Sequence, residues 1–202
     1  MTRWRLACAL KHLNSGGVIA YPTEAVYGLG CDPEDDEALE RIYALKSRGS
    51  EQGVILIAAT MRQLDPVLGS VSADTLAQIE ATWPGPVTWI VPVAADVFPG
   101  AQALDQTLAV RASAHPVAAE LCRRFGRPLV STSANRRGRT PARTAREVSL
   151  MLGPSSVDYV LNAPTGGNAG PSEIRDARTG EVLRDVSGHP RGTPDDSTRG
   201  VL

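Results

Sequence analysis

Short apolar runs of strand length alternate along this 202-residue chain with segments of helical period, and that alternation is the strongest constraint on its fold. Val18-Ile19-Ala20-Tyr21 and residues 54–59, 87–93, 107–111, 128–131 and 157–161 read as strands. Leu6, Ala9, Leu10 and Leu13 fall at helical spacing within residues 1–15. Leu39, Ile42 and Tyr43 do the same after Asp32-Pro33-Glu34-Asp35, which reads as a capped helix start. Leu76, Ile79 and Trp83 mark a third helix, residues 116–125 a fourth, and Thr144-Ala145-Arg146-Glu147 is a capping box opening a fifth. Ile174 and Val182-Leu183-Arg184 read as a hairpin around Thr179-Gly180. The pattern predicts one α/β domain over residues 1–186, its sheet mixed rather than purely parallel. Residues 187–202 are rich in Gly, Pro, Ser, Asp and Arg without apolar period, and read as a disordered tail.

Composition narrows the function classes. A net charge of −1 gives no global field to draw in nucleic acid, so any anion site must be local. The longest apolar run, residues 54–59, is far too short to span a membrane. The N-terminus is amphipathic rather than the apolar run of a signal peptide. Cys8, Cys31 and Cys122 are scattered and odd in number, which predicts reduced thiols and a cytoplasmic protein.

Several enzyme classes lack their motifs. There is no G-x-x-x-x-G-K-[ST], no G-x-S-x-G and no H-E-x-x-H, and Gly28-Leu29-Gly30 lacks the third glycine of a dinucleotide fingerprint. His12, His115 and His189 are isolated in sequence. What remains is a set of polar residues bordering strands and helix ends: Thr23, Lys46 with Arg48, Arg111, Ser131 with Ser133 and Asn135, Ser172 and Arg184. Ligands of open α/β sheets bind outside strand ends, so these residues are expected to converge there. Of 21 basic residues only Lys11 and Lys46 are lysine, and a compact ammonium does what a planar guanidinium cannot. Lys46 and Arg48 suit two oxygens of a polyphosphate, and Ser131-Thr132-Ser133-Ala134-Asn135 suits a turn that surrounds an anion. A solvated helix end and an ordinary polar turn are the plainer alternatives.

Six blocks then occur together in order: Tyr21-Pro22-Thr23-Glu24-Ala25-Val26-Tyr27-Gly28-Leu29-Gly30, Leu45-Lys46-Ser47-Arg48, Trp83-Pro84-Gly85-Pro86-Val87-Thr88, Ala109-Val110-Arg111, Ser131-Thr132-Ser133-Ala134-Asn135 and Pro171-Ser172-Glu173-Ile174-Arg175-Asp176. In these the chain resembles the YrdC-like family in its short bacterial form, from about Leu6 to Arg184. The resemblance implies a twisted mixed sheet with a basic concave cleft. It also implies an enzyme that joins L-threonine, bicarbonate and ATP into threonylcarbamoyl-AMP, with Mg²⁺ accompanying ATP and downstream tRNA threonylcarbamoyl-transfer proteins taking the product. Thr23, Arg111, Ser131 and Ser172 would then contact threonine. Lys46, Arg48, Thr107, Ser133, Asn135 and Arg184 would contact ATP, with Lys46 and Arg48 carrying the catalytic charge. Arg136-Arg137-Gly138 stands where the family often has an apolar residue, Ser and Gly.

The implied chemistry suits these residues. Transfer at the α-phosphate develops charge on phosphoryl oxygens and needs fixed cations and N–H donors rather than a nucleophilic side chain. Two rival readings are a relative with another carbamoyl-transfer substrate and an RNA-binding module. The second rests on the basic stretch from Arg123 through Arg127, Arg136, Arg137, Arg139 and Arg143 to Arg146, which lacks aromatic stacking platforms apart from Phe125. Weak tRNA contact is compatible with either the enzyme or the module.

Overall fold

The computed structural model describes residues 2–153 and 155–185; the expected tail at 187–202 lies outside them. The elements run α1 (Arg3–Leu13), β1 (Ile19–Pro22), β2 (Tyr27–Gly30), α2 (Asp36–Lys46), β3 (Ile55–Ala58), α3 (Asp65–Leu68), α4 (Ala73–Thr82), β4 (Val87–Pro92), β5 (Thr107–Ala112), α5 (Pro116–Phe125), β6 (Leu129–Ser133), α6 (Ala145–Leu152), β7 (Tyr159–Val160), β8 (Glu173–Asp176) and β9 (Val182–Arg184). The strands form one sheet in the order β7-β1-β2-β6-β3-β5-β4-β8-β9. Its pairings are mixed, as expected: β1/β7, β3/β5 and β4/β8 are parallel, and β1/β2, β2/β6, β3/β6, β4/β5 and β8/β9 antiparallel.

Helices cover both faces, which is why the strand segments read as continuous apolar runs. Successive side chains point to opposite faces. On one face Ala20, Leu56 and Val130 pack with Leu39 and Ile42 of α2, Ile79 of α4 and Val148 of α6. On the other, Ile19, Tyr21, Ile57 and Leu129 pack with Leu6 and Leu13 of α1 and Leu121 of α5. Among the described residues no helix is long and apolar enough to cross a membrane.

Three local expectations need correction. The second helix starts one turn after Asp32: Asp35 caps it by accepting from Ala38 N, while Asp32 accepts from Glu34 N and pairs with Arg127. Residues 27–30, with two glycines, form a strand that composition does not announce; β1 supplies their partners in an antiparallel hairpin. The strand read to residue 131 extends to Ser133, because Ser133 and Thr132 pair with Gly28 and Leu29 of β2.

Candidate functional site

A cavity of about 760 Å³ opens on the sheet, and all ten residues singled out in the sequence line it. It does not lie simply outside the strand ends. Leu108, Val110 and Ala112 of β5 point into the core that also holds Leu39 and Ile42 of α2, so Thr107, Ala109 and Arg111 face the other way. Leu129 of β6 packs with α1 and α5, and Ser131 and Ser133 continue along that same face. Helices α1 and α5 cover part of this face, and the cavity occupies the part bordered by Thr107, Arg111, Ser131 and Ser133.

Lys46 enters from the last turn of α2, whose C-cap Ser47 is left-handed (φ 47°) and turns the chain toward Arg48. The Lys46 ammonium is buried and donates to Ser133 O (2.7 Å), Asn135 O (2.9 Å) and Asn135 Oδ1 (2.5 Å), with Ser133 Oγ at 3.3 Å. Burial, then the neighbouring Arg48, pulls its pKa down to about 8. Asn135 is held in turn by its own amide, which donates to Arg136 O and Arg139 O. The Arg48 side chain is bound more loosely. Its Nη2 donates to Gln52 O at 3.3 Å, and its Nε is buried with no hydrogen-bond partner among the described residues. Burial lowers its pKa, against Tyr43 and Glu51.

Across the cavity Arg111 faces Glu24, Nη2 to Oε2 at 3.2 Å, outside hydrogen-bond alignment. Burial pushes the Glu24 carboxyl up, but Arg111, Ser113 Oγ and the N–H of Ala114 outweigh it, so the group sits below its ordinary value. Thr23 Oγ1 donates to Val26 O, closing the turn between β1 and β2. Gly28 forms the floor beside it. A Cβ there would stand 3.3 Å from Ser131 Oγ and 3.4 Å from Thr23 Cγ2.

Arg184 of β9 donates from Nε and Nη2 to Ser172 O (3.3 and 2.9 Å), and the Ser172 hydroxyl meets that of Thr88 at 2.9 Å. Burial, then Arg111, lowers the Arg184 pKa. Thr107 Oγ1 donates to Asp105 Oδ1.

Three charged lining residues were not among the ten: Glu24, Arg137 and Arg143. A lone acid inside the apolar segment from Tyr21 to Leu29 was the available signal for Glu24. Arg137 donates to Ser47 O, tying the chain after β6 to the end of α2, while Arg136 donates to Met151 O and Leu152 O at the end of α6. The two arginines at these positions thus cross-link the turn after β6 to the ends of α2 and α6. The basic stretch is also less open than it reads. Arg123 and Arg124 pair with Glu120, and Arg127 pairs with Asp32 and Glu34. His115 serves α5, its ring accepting from Ala118 N at 3.4 Å.

Residues 11–185 match the Sua5/YciO/YrdC family, whose description reads "Telomere recombination". A threonylcarbamoyl-AMP synthase of Nitrosococcus oceani is 55% identical over 181 residues, 90% of this chain and 97% of that protein. Its namesake in Vibrio vulnificus is 48% identical over 87% of this chain and 95% of its own length. Among solved structures, Pyrococcus abyssi Sua5 complexed with L-threonine superposes with a TM-score of 0.80 at 27% identity, covering 91% of this chain and 54% of that one. Escherichia coli YciO does so with a TM-score of 0.76 at 25% identity, over 87% and 84%. Six ordered sequence blocks, the mixed sheet and these matches lead to one conclusion: the chain belongs to the Sua5/YciO/YrdC family.

Proposed function

We propose that this protein is a threonylcarbamoyl-AMP synthase, a nucleotidyltransferase that converts L-threonine, bicarbonate and ATP into threonylcarbamoyl-AMP, pyrophosphate and water. The observation that carries the reading is the convergence on one cavity of nine polar residues singled out by their placement in the sequence, with Thr107 from the resemblance, in a chain 55% identical to a protein of that name. The catalytic domain is proposed to lie within residues 1–186.

The threonine amine and bicarbonate combine to a carbamate with loss of water. A carbamate oxygen then attacks the α-phosphorus, and the bond to the β-phosphate oxygen breaks. Nothing in this sequence needs a covalent enzyme intermediate. The protein has to hold two anions together and stabilise charge on the phosphoryl oxygens and leaving group. Arg48 suits that work, with a buried Nε lacking a hydrogen-bond partner; Lys46 fixes the Ser133–Asn135 backbone that borders the nucleotide side. Thr107, Ser133, Asn135 and Arg184 complete the proposed ATP contacts. Arg111 is assigned the threonine carboxylate, and Thr23, Ser131 and Ser172 its amine and hydroxyl.

Mg²⁺ is assigned to ATP rather than to a protein cage. Among the described residues no group of three His, Cys, Asp or Glu side chains could hold an ion, whereas phosphate oxygens and water supply its preferred octahedron. The product is a mixed anhydride, suited to direct transfer to a downstream tRNA-modifying protein, and a cytoplasmic location fits that role.

The test is direct. Pure protein with ATP, Mg²⁺, bicarbonate and threonine should release pyrophosphate and yield a carbamoyl-adenylate of the threonine mass, and omission of bicarbonate should abolish both. ATP cleavage indifferent to threonine and bicarbonate would overturn the reading.

A further inference from the structure

Glu24 has no part in the chemistry just described, yet few side chains at the cavity are more tightly constrained. It is 7% exposed, as is Arg111. Its Oε1 accepts from Ser113 Oγ at 2.8 Å and from Ala114 N at 3.1 Å, both just beyond the end of β5. Its Oε2 lies 3.2 Å from Arg111 Nη2 and is itself shut off from solvent. The carboxylate therefore meets the guanidinium rather than the open space of the cavity.

The backbone of the same turn carries a second element. Thr23 O accepts from Gly166 N at 3.0 Å and Glu24 O from Asn168 N at 2.9 Å. A Cβ at Gly166 would stand 2.9 Å from Glu24 O, so the close approach requires glycine. Arg143 Nη2 donates to Ala169 O at 2.9 Å from the other side. The segment from Gly166 to Pro171 is thus laid across Thr23 and Glu24 and delivers Ser172, whose hydroxyl meets Thr88.

We propose that Glu24 is a positioning residue for the amino-acid half of the site: its charge holds the Arg111 guanidinium in place and, through its backbone, it fixes the chain that presents Ser172. The inference rests on the reading that threonine binds beside Arg111. Physically, a long cationic side chain loses rotamer freedom when it grips a carboxylate, and prior clamping removes that cost from binding. The paired carboxylate also offsets the burial of the guanidinium in the empty site, where a lone charge would be expensive. An ion pair that only stabilised the fold would have no reason to affect one substrate more than the other.

Glu24→Gln keeps an oxygen for Ser113 and Ala114 and removes the charge facing Arg111. The expected result is a threonine KM raised by up to roughly tenfold, the cost of ordering one long side chain that is no longer held, with the ATP KM changed by less than about twofold. Arg111→Lys should weaken threonine alone, and adding Glu24→Gln to it should cost no more than about a further twofold, because the two residues act as one unit. Ser113→Ala loosens Oε1 without changing charge and should raise the threonine KM in the same sense by a smaller factor; it serves as the readout should Glu24→Gln fail to fold. An unchanged threonine KM in both variants, equal losses for threonine and ATP, or multiplicative losses with Arg111→Lys would each overturn the proposal. A wild-type protein that makes no threonylcarbamoyl-AMP would instead overturn the functional reading, and the two failures are distinguishable in one set of assays.

Discussion

Nζ of Lys46 lies 2.5 Å from Oδ1 of Asn135, 89 residues further along the chain. The same ammonium donates to two backbone carbonyls, those of Ser133 and Asn135. A lysine expected to face phosphate is thus first of all the pin that holds the end of β6 to the end of α2. Among the described residues the side chain of Arg48, two residues on, has one hydrogen bond, at 3.3 Å.

That difference separates the two residues experimentally. Lys46→Ala strips three buried acceptors of a charged donor, so it should lower stability by about 1–3 kcal/mol and pyrophosphate release by about tenfold or more. Arg48→Ala should lower release by a similar factor while leaving the melting temperature nearly unchanged. Thermal melts read beside turnover check both; an unshifted melt for Lys46→Ala would remove its pinning role.

The second prediction is a pH dependence. Burial, then Arg48, brings the Lys46 pKa down from 10.5 to about 8. Below that value the ammonium is charged and attracts phosphate; as pH rises through it the charge is lost, so ATP affinity should fall. The terminal phosphate of ATP loses its last proton near neutrality, below the expected step, so the two titrations are separable. Calorimetry from pH 7 to 9.5 should show ATP binding weaken through a step near 8, and Lys46→Arg, which does not titrate there, should remove the step. A wild-type affinity flat across the range would show that Lys46 keeps its proton or does not meet ATP.

The fold was largely legible because the strands are buried on both faces: residues 54–59 and 128–131 could hardly be anything else. The residues that line the cavity were legible as a set, but their placement on the sheet face was not. Thr107-Leu108-Ala109-Val110-Arg111 alternates polar or small with apolar, and a period of two by itself assigns Thr107 and Arg111 to a single face. The expectation of a site at strand ends overlooked that alternation. Glu24 was harder, because its meaning depends on Arg111, Ser113 and Ala114, all distant in sequence. The same holds for Arg137, whose partner Ser47 belongs to another helix end.

Two glycines on β2 should behave differently. A Cβ at Gly30 would stand 2.4 Å from Val130 O and 2.7 Å from the Tyr21 ring, inside the paired core of the sheet. Gly30→Ala should therefore destabilise the protein by roughly 1–3 kcal/mol or more. At Gly28 the nearest atoms are the side chains of Ser131 and Thr23, at 3.3 and 3.4 Å, and these need give only a few tenths of an ångström. Gly28→Ala should fold normally and raise the threonine KM selectively. Equal effects of both substitutions on melting temperature would count against Gly28 as the floor of the amino-acid pocket.

The last prediction concerns substrate choice, where the functional reading is most exposed. Thr23, Ser131 and Ser172 bring three hydroxyls to the cavity that Arg111 also lines, and Gly28 keeps the floor between Thr23 and Ser131 free of a side chain. A site that pairs a substrate hydroxyl is left with its own polar groups unpaired when valine binds, so valine should be rejected strongly. Serine keeps the hydroxyl and lacks only a methyl group, a difference of about 1–3 kcal/mol, which makes it a slow but measurable substrate. The expected order of kcat/KM is threonine, then serine, then valine near background. Pyrophosphate release measured with each amino acid, at fixed ATP and bicarbonate, gives the order directly. Equal rates for all three would mean that the hydroxyls lining the cavity do not read the side chain, and the assignment of Thr23, Ser131 and Ser172 to threonine would fall.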